Sequence, residues 1–242
     1  MKKALITGSS RGIGRAIALR LAKDGFHILL HGSKPSEKLT EAGIMIEGEG
    51  GSVETVTADL RDISQTQKLC EKANGVDVLV LNASLQIKKP WQSITVGDCR
   101  DQLNCNYVSS LLLIQAAAPY MKEQKWGRII TVGSVQEIKP HPDMLVYSSS
   151  KAAQTNMVRS LSLQLAEYGV TVNNVAPGVI ATDRNVEALS DPVYAKKVMD
   201  SIPAGFYGEP EDCAGIVSLL CSRQGRYITG QSIFVDGGKS VQ

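Results

Sequence analysis

Thr7-Gly8-Ser9-Ser10-Arg11-Gly12-Ile13-Gly14 follows the short apolar run Ala4-Leu5-Ile6 near the start of the chain. Three glycines fall within seven residues, with one arginine among them. Ala4–Thr7 reads as a buried strand bounded by Gly8. Ile13, Ile17 and Leu21 then recur at four-residue spacing, which is one face of a helix. The glycine stretch is thus a strand-to-helix turn. A helix N-terminus offers unpaired backbone N–H groups and the positive end of its dipole, an anion site. Glycine permits the positive-φ turn and leaves no side chain to hold a phosphate away. The pattern is GxxxGxG. It is neither a P-loop, since no Gly-Lys-Ser/Thr follows, nor the GxGxxG fingerprint.

The same rhythm continues along the chain. His27–His31, Ser52–Thr57, Val76–Leu81, Arg128–Val132, Thr171–Val175 and Ser232–Val235 read as further strands. Helical patterns cover Ser36–Glu47, a long region from Thr95 to Met121, and Tyr147 to Tyr168. Continuous apolar strands alternating with helices predict an α/β fold with a parallel sheet of about seven strands, covered on both faces. No linker divides the 242 residues, so a single domain over 1–242 is expected. The polar stretch at about 182–205 breaks the rhythm and is expected to be an insertion beside the site.

Composition narrows the function. The chain is 43% hydrophobic and 21% charged, with a net charge of +2, too balanced to argue for nucleic acid or a membrane surface. The apolar run after Lys2-Lys3 is too short for a secretory signal, and no stretch approaches a membrane span. Five cysteines without CxxC spacing argue against a disulfide framework or a zinc site, and for reduced thiols in a cytoplasmic protein. His27, His31 and His141 form no cluster, and no metal is expected.

A second group carries the chemistry. Ser134 ends the apolar strand, Tyr147 follows thirteen residues later, and Lys151 stands four residues further on. On one helix, Tyr147 and Lys151 share a face. The end of a parallel strand is where open α/β sheets bind ligands. A tyrosine beside a cationic lysine is a plausible general acid/base, because the ammonium favours phenolate and lowers a free pKa of about 10.

Taken together, these motifs resemble the short-chain dehydrogenase/reductase family, from Ala4 to Gly238. TGSSRGIG resembles its cofactor turn, and Ser134, Tyr147 and Lys151 fall at its Ser…Tyr-x-x-x-Lys spacing. Asn106 matches the asparagine in the helix after strand four. Asp59 matches the acid beside adenine, and Pro177-Gly178 with Thr182 matches the turn near the nicotinamide amide. The family's Asn-Asn-Ala-Gly reads Leu81-Asn82-Ala83-Ser84 here, so Ser84 needs a backbone that tolerates a side chain. The nearest branch is that of the 3-oxoacyl-acyl-carrier-protein reductases.

The resemblance implies a Rossmann-type doubly wound sheet and hydride transfer between a nicotinamide and a carbonyl or secondary alcohol. Ser134 would hold the substrate oxygen and Tyr147 would exchange the proton. Lys151 would bind the nicotinamide ribose and tune Tyr147, and Asn106 would interrupt its helix and hold a water linking Lys151 to bulk. Cofactor contacts are expected from Gly8, Ser10, Arg11, Gly12, Ile13, Gly14, Ser33, Asp59, Leu60, Asn82, Ala83, Tyr147, Lys151, Pro177, Gly178, Ile180 and Thr182. Val135-Gln136-Glu137, Gln86 and the segment from Arg184-Asn185 to Tyr194 are candidates for the substrate wall. Leu111 to Ile114 are apolar in succession, which together with the resemblance points to a homo-oligomer, a tetramer.

The cofactor type is read at the end of strand two. NAD enzymes place an acid there for the ribose 2′-OH. Here Leu29-Leu30-His31 runs into Gly32-Ser33-Lys34, with no acid between Gly25 and Ser36. Arg11 is placed to meet a 2′-phosphate, with Ser33 and Lys34 as helpers, by a charge-assisted contact. NADP(H) is therefore expected over NAD(H). A carbonyl or thioester reductase, a sugar or polyol dehydrogenase, and a cofactor-binding regulator without catalysis all remain open, the intact residues arguing against the last.

Overall fold

The computed structural model describes residues 1–183, 185 and 190–242. Seven strands form one sheet: β1 (Lys3–Ile6), β2 (His27–Gly32), β3 (Ser52–Thr57), β4 (Val78–Leu81), β5 (Gly127–Val132), β6 (Val170–Pro177) and β7 (Ser232–Val235). Their order is β3-β2-β1-β4-β5-β6-β7 and every pair is parallel. This is the Rossmann-type α/β sheet that the sequence predicts.

The alternation of side chains along each strand builds two cores. Ala4, Ile6, Val78 and Val80 face the layer of α1 (Gly12–Lys23), α2 (Glu37–Gly48) and α8 (Pro210–Cys221). Leu5, Leu79 and Leu81 face the layer of α3 (Ile63–Ala73), α5 (Ser109–Glu123) and α6 (Leu145–Leu165). Ile17 and Leu21 of α1 are fully buried, as their spacing predicts, each worth about 1.5–3 kcal/mol.

Two helices escape the apolar-period reading. In α3 the buried stripe is only Thr66, Leu69 and Ala73, and its start is set by Asp62, which accepts from the N–H groups of Ser64 and Gln65. The apolar run that ends α8 is as compatible with a strand as with a helix. Its type is set at the start, by Pro210 and by Asp212 Oδ2, which accepts from the Glu209 N–H at 2.8 Å. The helical region over 95–121 proves to be α4 (Val96–Leu103) and α5, joined by a π turn over Asn104–Val108.

Strands β1 and β4 are neighbours, with β2 and β3 wound to one side and β5 to β7 to the other. The crevice at their C-terminal ends is the topological switch point, where open sheets take ligands. A bridge between Ile180 and Gly208 ties the two ends of the 182–205 stretch together, and α7 (Pro192–Asp200) lies within it.

Candidate active site

The glycine turn is shaped by contacts that only glycine allows. Gly8 and Gly12 have φ of +65° and +55°. A Cβ on Gly14 would stand 2.3 Å from the Gly8 carbonyl oxygen and 2.5 Å from Asn82 Nδ2. No side chain caps the start of α1, so its first N–H groups are left for a ligand. The turn thus fits a pyrophosphate.

Three neighbours hold it. Thr7 Oγ1 accepts from the N–H groups of Asn82 (2.9 Å) and Ala83 (3.0 Å). Asn82 Nδ2 donates to the carbonyls of Thr7 and Gly8, each at 2.9 Å. His31 Nδ1 accepts from the Gly8 N–H at 3.1 Å, while Nε2 meets the Ala58 carbonyl at 3.0 Å. These partners assign the proton to Nε2. Burial pushes the His31 pKa down to about 4, so the ring is neutral near pH 7. Asn82 therefore acts on the turn itself, and His31 is a clamp that the absence of a histidine cluster does not reveal.

A cleft of about 920 Å³ opens over this turn. Of the expected cofactor contacts, all but Lys151 line it, from Gly8 at one end to Thr182 at the other, with Tyr147 on its wall. Asp59 lines it beside Leu60, its carboxylate held below the usual range by hydrogen bonds from Arg61. Ser84 adopts no left-handed backbone, so serine is accommodated where the family has glycine.

Ser134 and Tyr147 both face the cleft and are largely buried. Ser134 Oγ accepts from the Gln136 N–H at 3.2 Å. Lys151, 1% exposed, lies beneath this wall with Nζ 5.8 Å from the centre of the Tyr147 ring. Its Nζ donates to the Val132 carbonyl at 2.7 Å. Asn106 is fully buried in the π turn. Its Oδ1 accepts from the Leu85 N–H, and its Nδ2 donates to the Leu85 carbonyl and to Ser150 Oγ. It fastens the chain after β4 to α6, where Tyr147 and Lys151 stand.

On the substrate side, Gln86, Gln136, His141, Asn185 and Tyr194 line the cleft. Glu137 does not. Its carboxylate turns inward and accepts from Ser232 Oγ (2.6 Å), Thr155 Oγ1 (2.8 Å) and Asn174 Nδ2 (2.9 Å). Arg184, also expected on this wall, lies outside the described residues.

At the opposite rim, Arg11 Nη1 pairs with Asp183 Oδ2 at 3.4 Å. Lys38, on α2, donates to the same oxygen. Both cations hold the Asp183 carboxyl below its usual range, Lys38 the more strongly. Lys34, expected as a helper, is not among the residues that line the cleft. Lys38 and Asp183 come from elements far apart in sequence, so no local spacing marks the pair.

Residues 2–192 match the family described as short chain dehydrogenase. A 3-oxoacyl-[acyl-carrier-protein] reductase of Rickettsia conorii is 37% identical over 98% of this chain and 96% of its own length. A glucose 1-dehydrogenase of Gluconobacter oxydans is 36% identical over 99% of this chain and 92% of its own. Among solved structures, a 3-oxoacyl (acyl-carrier-protein) reductase of Agrobacterium tumefaciens with NADP bound superposes with a TM-score of 0.93. It is 36% identical and covers 98% of this chain and 93% of its own. The chain belongs to the short-chain dehydrogenase family and is an oxidoreductase acting between alcohols and carbonyls. No helix among the described residues is long and apolar enough to cross a membrane.

Proposed function

We propose that this enzyme prefers NADP(H) over NAD(H) and reduces a carbonyl, either a small ketone or a flexible acyl thioester. The observation that carries the cofactor reading is the adenosine end of the cleft. Gly32 and Ser33 stand where an NAD enzyme has its acid, and Arg11 lines the cleft, while Lys38, which like Lys34 does not line it, pairs with the rim residue Asp183. The two carboxylates described there are already engaged, Asp183 by both of these cations and Asp59 by Arg61. The NADP-bound relative supports the same reading.

Bound nicotinamide supplies the hydride. Ser134 holds the substrate oxygen by a hydrogen bond. The Tyr147 hydroxyl gives its proton to that oxygen in reduction and takes it back in oxidation. Lys151, a cation beneath the ring, favours the phenolate and binds the nicotinamide ribose. Asn106 keeps the backbone after β4 in register with α6, and so fixes the wall opposite Tyr147. Gly8 to Gly14 cradle the pyrophosphate. The 182–205 stretch serves as the substrate loop of a single-domain enzyme working in the cytoplasm.

A sugar or polyol dehydrogenase is the second reading, and the polar lining favours it: Gln136, His141, Asn185 and Tyr194 all face the cleft. The glucose-dehydrogenase relative belongs to the same reading. A turnover panel of acetoacetyl thioesters, diketones, sugars and polyols with both cofactors separates the two. Efficient oxidation of a polyol with thioesters and diketones untouched would replace the first reading by the second. No turnover with any substrate would favour the silent regulator.

A homotetramer is proposed from the helix faces that the sheet does not cover. Leu113 and Ile114 are buried, but Leu163 on α6 is 85% exposed and Leu103 on α4 is 40% exposed. Sedimentation as a monomer at micromolar concentration would remove this part.

A further inference from the structure

The anchoring of Lys151 differs from what the resemblance implies. Beyond Val132, its Nζ donates to Gln154 Oε1 at 3.2 Å. Gln154 sits one turn further along α6 and is 1% exposed. Its Nε2 donates to the backbone carbonyl of Asn106 (3.1 Å) and to Ser110 Oγ (3.1 Å). Ser110 Oγ in turn donates to that same Asn106 carbonyl, again at 3.1 Å. A carbonyl oxygen has two lone pairs, and both are taken here by side chains. Gln154 and Ser110 thus converge on one carbonyl of the π turn.

This carbonyl lies in the π turn over Asn104–Val108. A single wide turn disturbs the i→i−4 ladder, and such turns recur at functional sites. Gln154 and Ser110 fill the gap from α6 and α5.

We propose that Gln154 is a positioning residue for the reaction: its amide fixes the Lys151 ammonium and joins it to the Asn106 carbonyl where a bridging water was expected. The inference rests on the reading of Tyr147 and Lys151 given above. A buried ammonium needs acceptors, and an amide oxygen locked from behind by two hydrogen bonds is a fixed one. The amide N–H groups are donated and not released, so this link orients Lys151 without conducting protons. The titratable groups around the network are Tyr147, on the same helix face, and Glu137, one link away through Thr155.

Gln154→Met tests this, because it keeps the volume and removes both polar ends. With the fold intact by circular dichroism, cofactor Kd should change by less than about threefold. Turnover should fall about tenfold to a hundredfold, the usual result of loosening a reacting geometry. The acid limb of the pH profile for alcohol oxidation should move upward, since a poorly held ammonium favours phenolate less. Gln154→Glu should also raise that limb, by partly neutralising the ammonium. Ser110→Ala, which loses only the far anchor, should shift it less and in the same direction. A folded Gln154→Met enzyme with turnover within about twofold and an unmoved limb overturns the proposal. Should that variant not fold, the limbs of Gln154→Glu and Ser110→Ala decide it alone: raised limbs support the proposal and unmoved limbs overturn it. Tyr147→Phe runs alongside. If it keeps a tenth of the rate, the reading of Tyr147 falls and this inference with it. If it is inactive while the Gln154 and Ser110 limbs stay put, only the role of Gln154 is lost.

Discussion

The cofactor side and the substrate side of the cleft are built in different ways. On the cofactor side, the glycine turn is tied to β1, β2 and β4 through Thr7, His31 and Asn82, and every tie is buried or half-buried. On the substrate side, the polar wall comes from loops and from α7. Asn185 Nδ2 donates to the Ile180 carbonyl and its N–H to the Thr182 carbonyl, and Tyr194 is 38% exposed. The first half is part of the sheet and forms whenever the sheet does. The second is appended to it. On the proposed reading, cofactor chemistry is set by the framework and substrate choice by the appended segments.

The sharpest way to break this contrast is at the boundary between the halves. Tyr147→Phe removes one hydroxyl and keeps the ring. Turnover should fall by about 10²–10⁴, the usual contribution of a general acid, with cofactor Kd within about twofold. Steady-state rates and fluorescence titration check both. Retention of a tenth of the rate would take the proton role from Tyr147.

The framework half should also announce itself in stability. His31 titrates near 6.5 when unfolded and at about 4 in the folded protein, because burial disfavours its charge. Above pH 6.5 the neutral ring fits the clamp at no cost. As pH falls toward 4, the unfolded chain takes up a proton that the folded one refuses, and up to about 3 kcal/mol of stability is lost. Denaturant unfolding of wild type and His31→Gln across this range should show the decline in the first and a flatter limb in the second.

At the adenosine end, Arg11→Ala should weaken NADPH binding by roughly 1.5–3 kcal/mol and leave NADH binding little changed. Calorimetric titration with each cofactor measures it. The smallest effect belongs to the loop. Asp183 competes for the same two cations, so Asp183→Asn should tighten NADPH by only a few-fold, in keeping with an exposed ion pair. A large gain would mean that the loop controls the framework half after all.

The same division governs what was legible in the sequence. The turn, the strands and the Ser134, Tyr147 and Lys151 spacing are local patterns, and the structure brings Ser134 and Tyr147 to one wall with Lys151 beneath it. The residues that went unread act across long sequence gaps. Gln154 reaches Asn106 from another helix, Glu137 reaches Ser232, and Lys38 meets Asp183. Nothing near any of them in sequence marks its partner. Helices α3 and α8 escaped for a different reason, since one has too thin an apolar stripe and the other too continuous a run.

We propose above all that the adenosine end of the framework selects a 2′-phosphate. Dissociation constants of NADPH and NADH for the wild-type protein, measured side by side at one ionic strength, test it most directly. With charge-assisted contacts to the phosphate, NADPH should bind at least about tenfold more tightly. Equal or tighter binding of NADH would contradict the account and leave Arg11 as a turn residue.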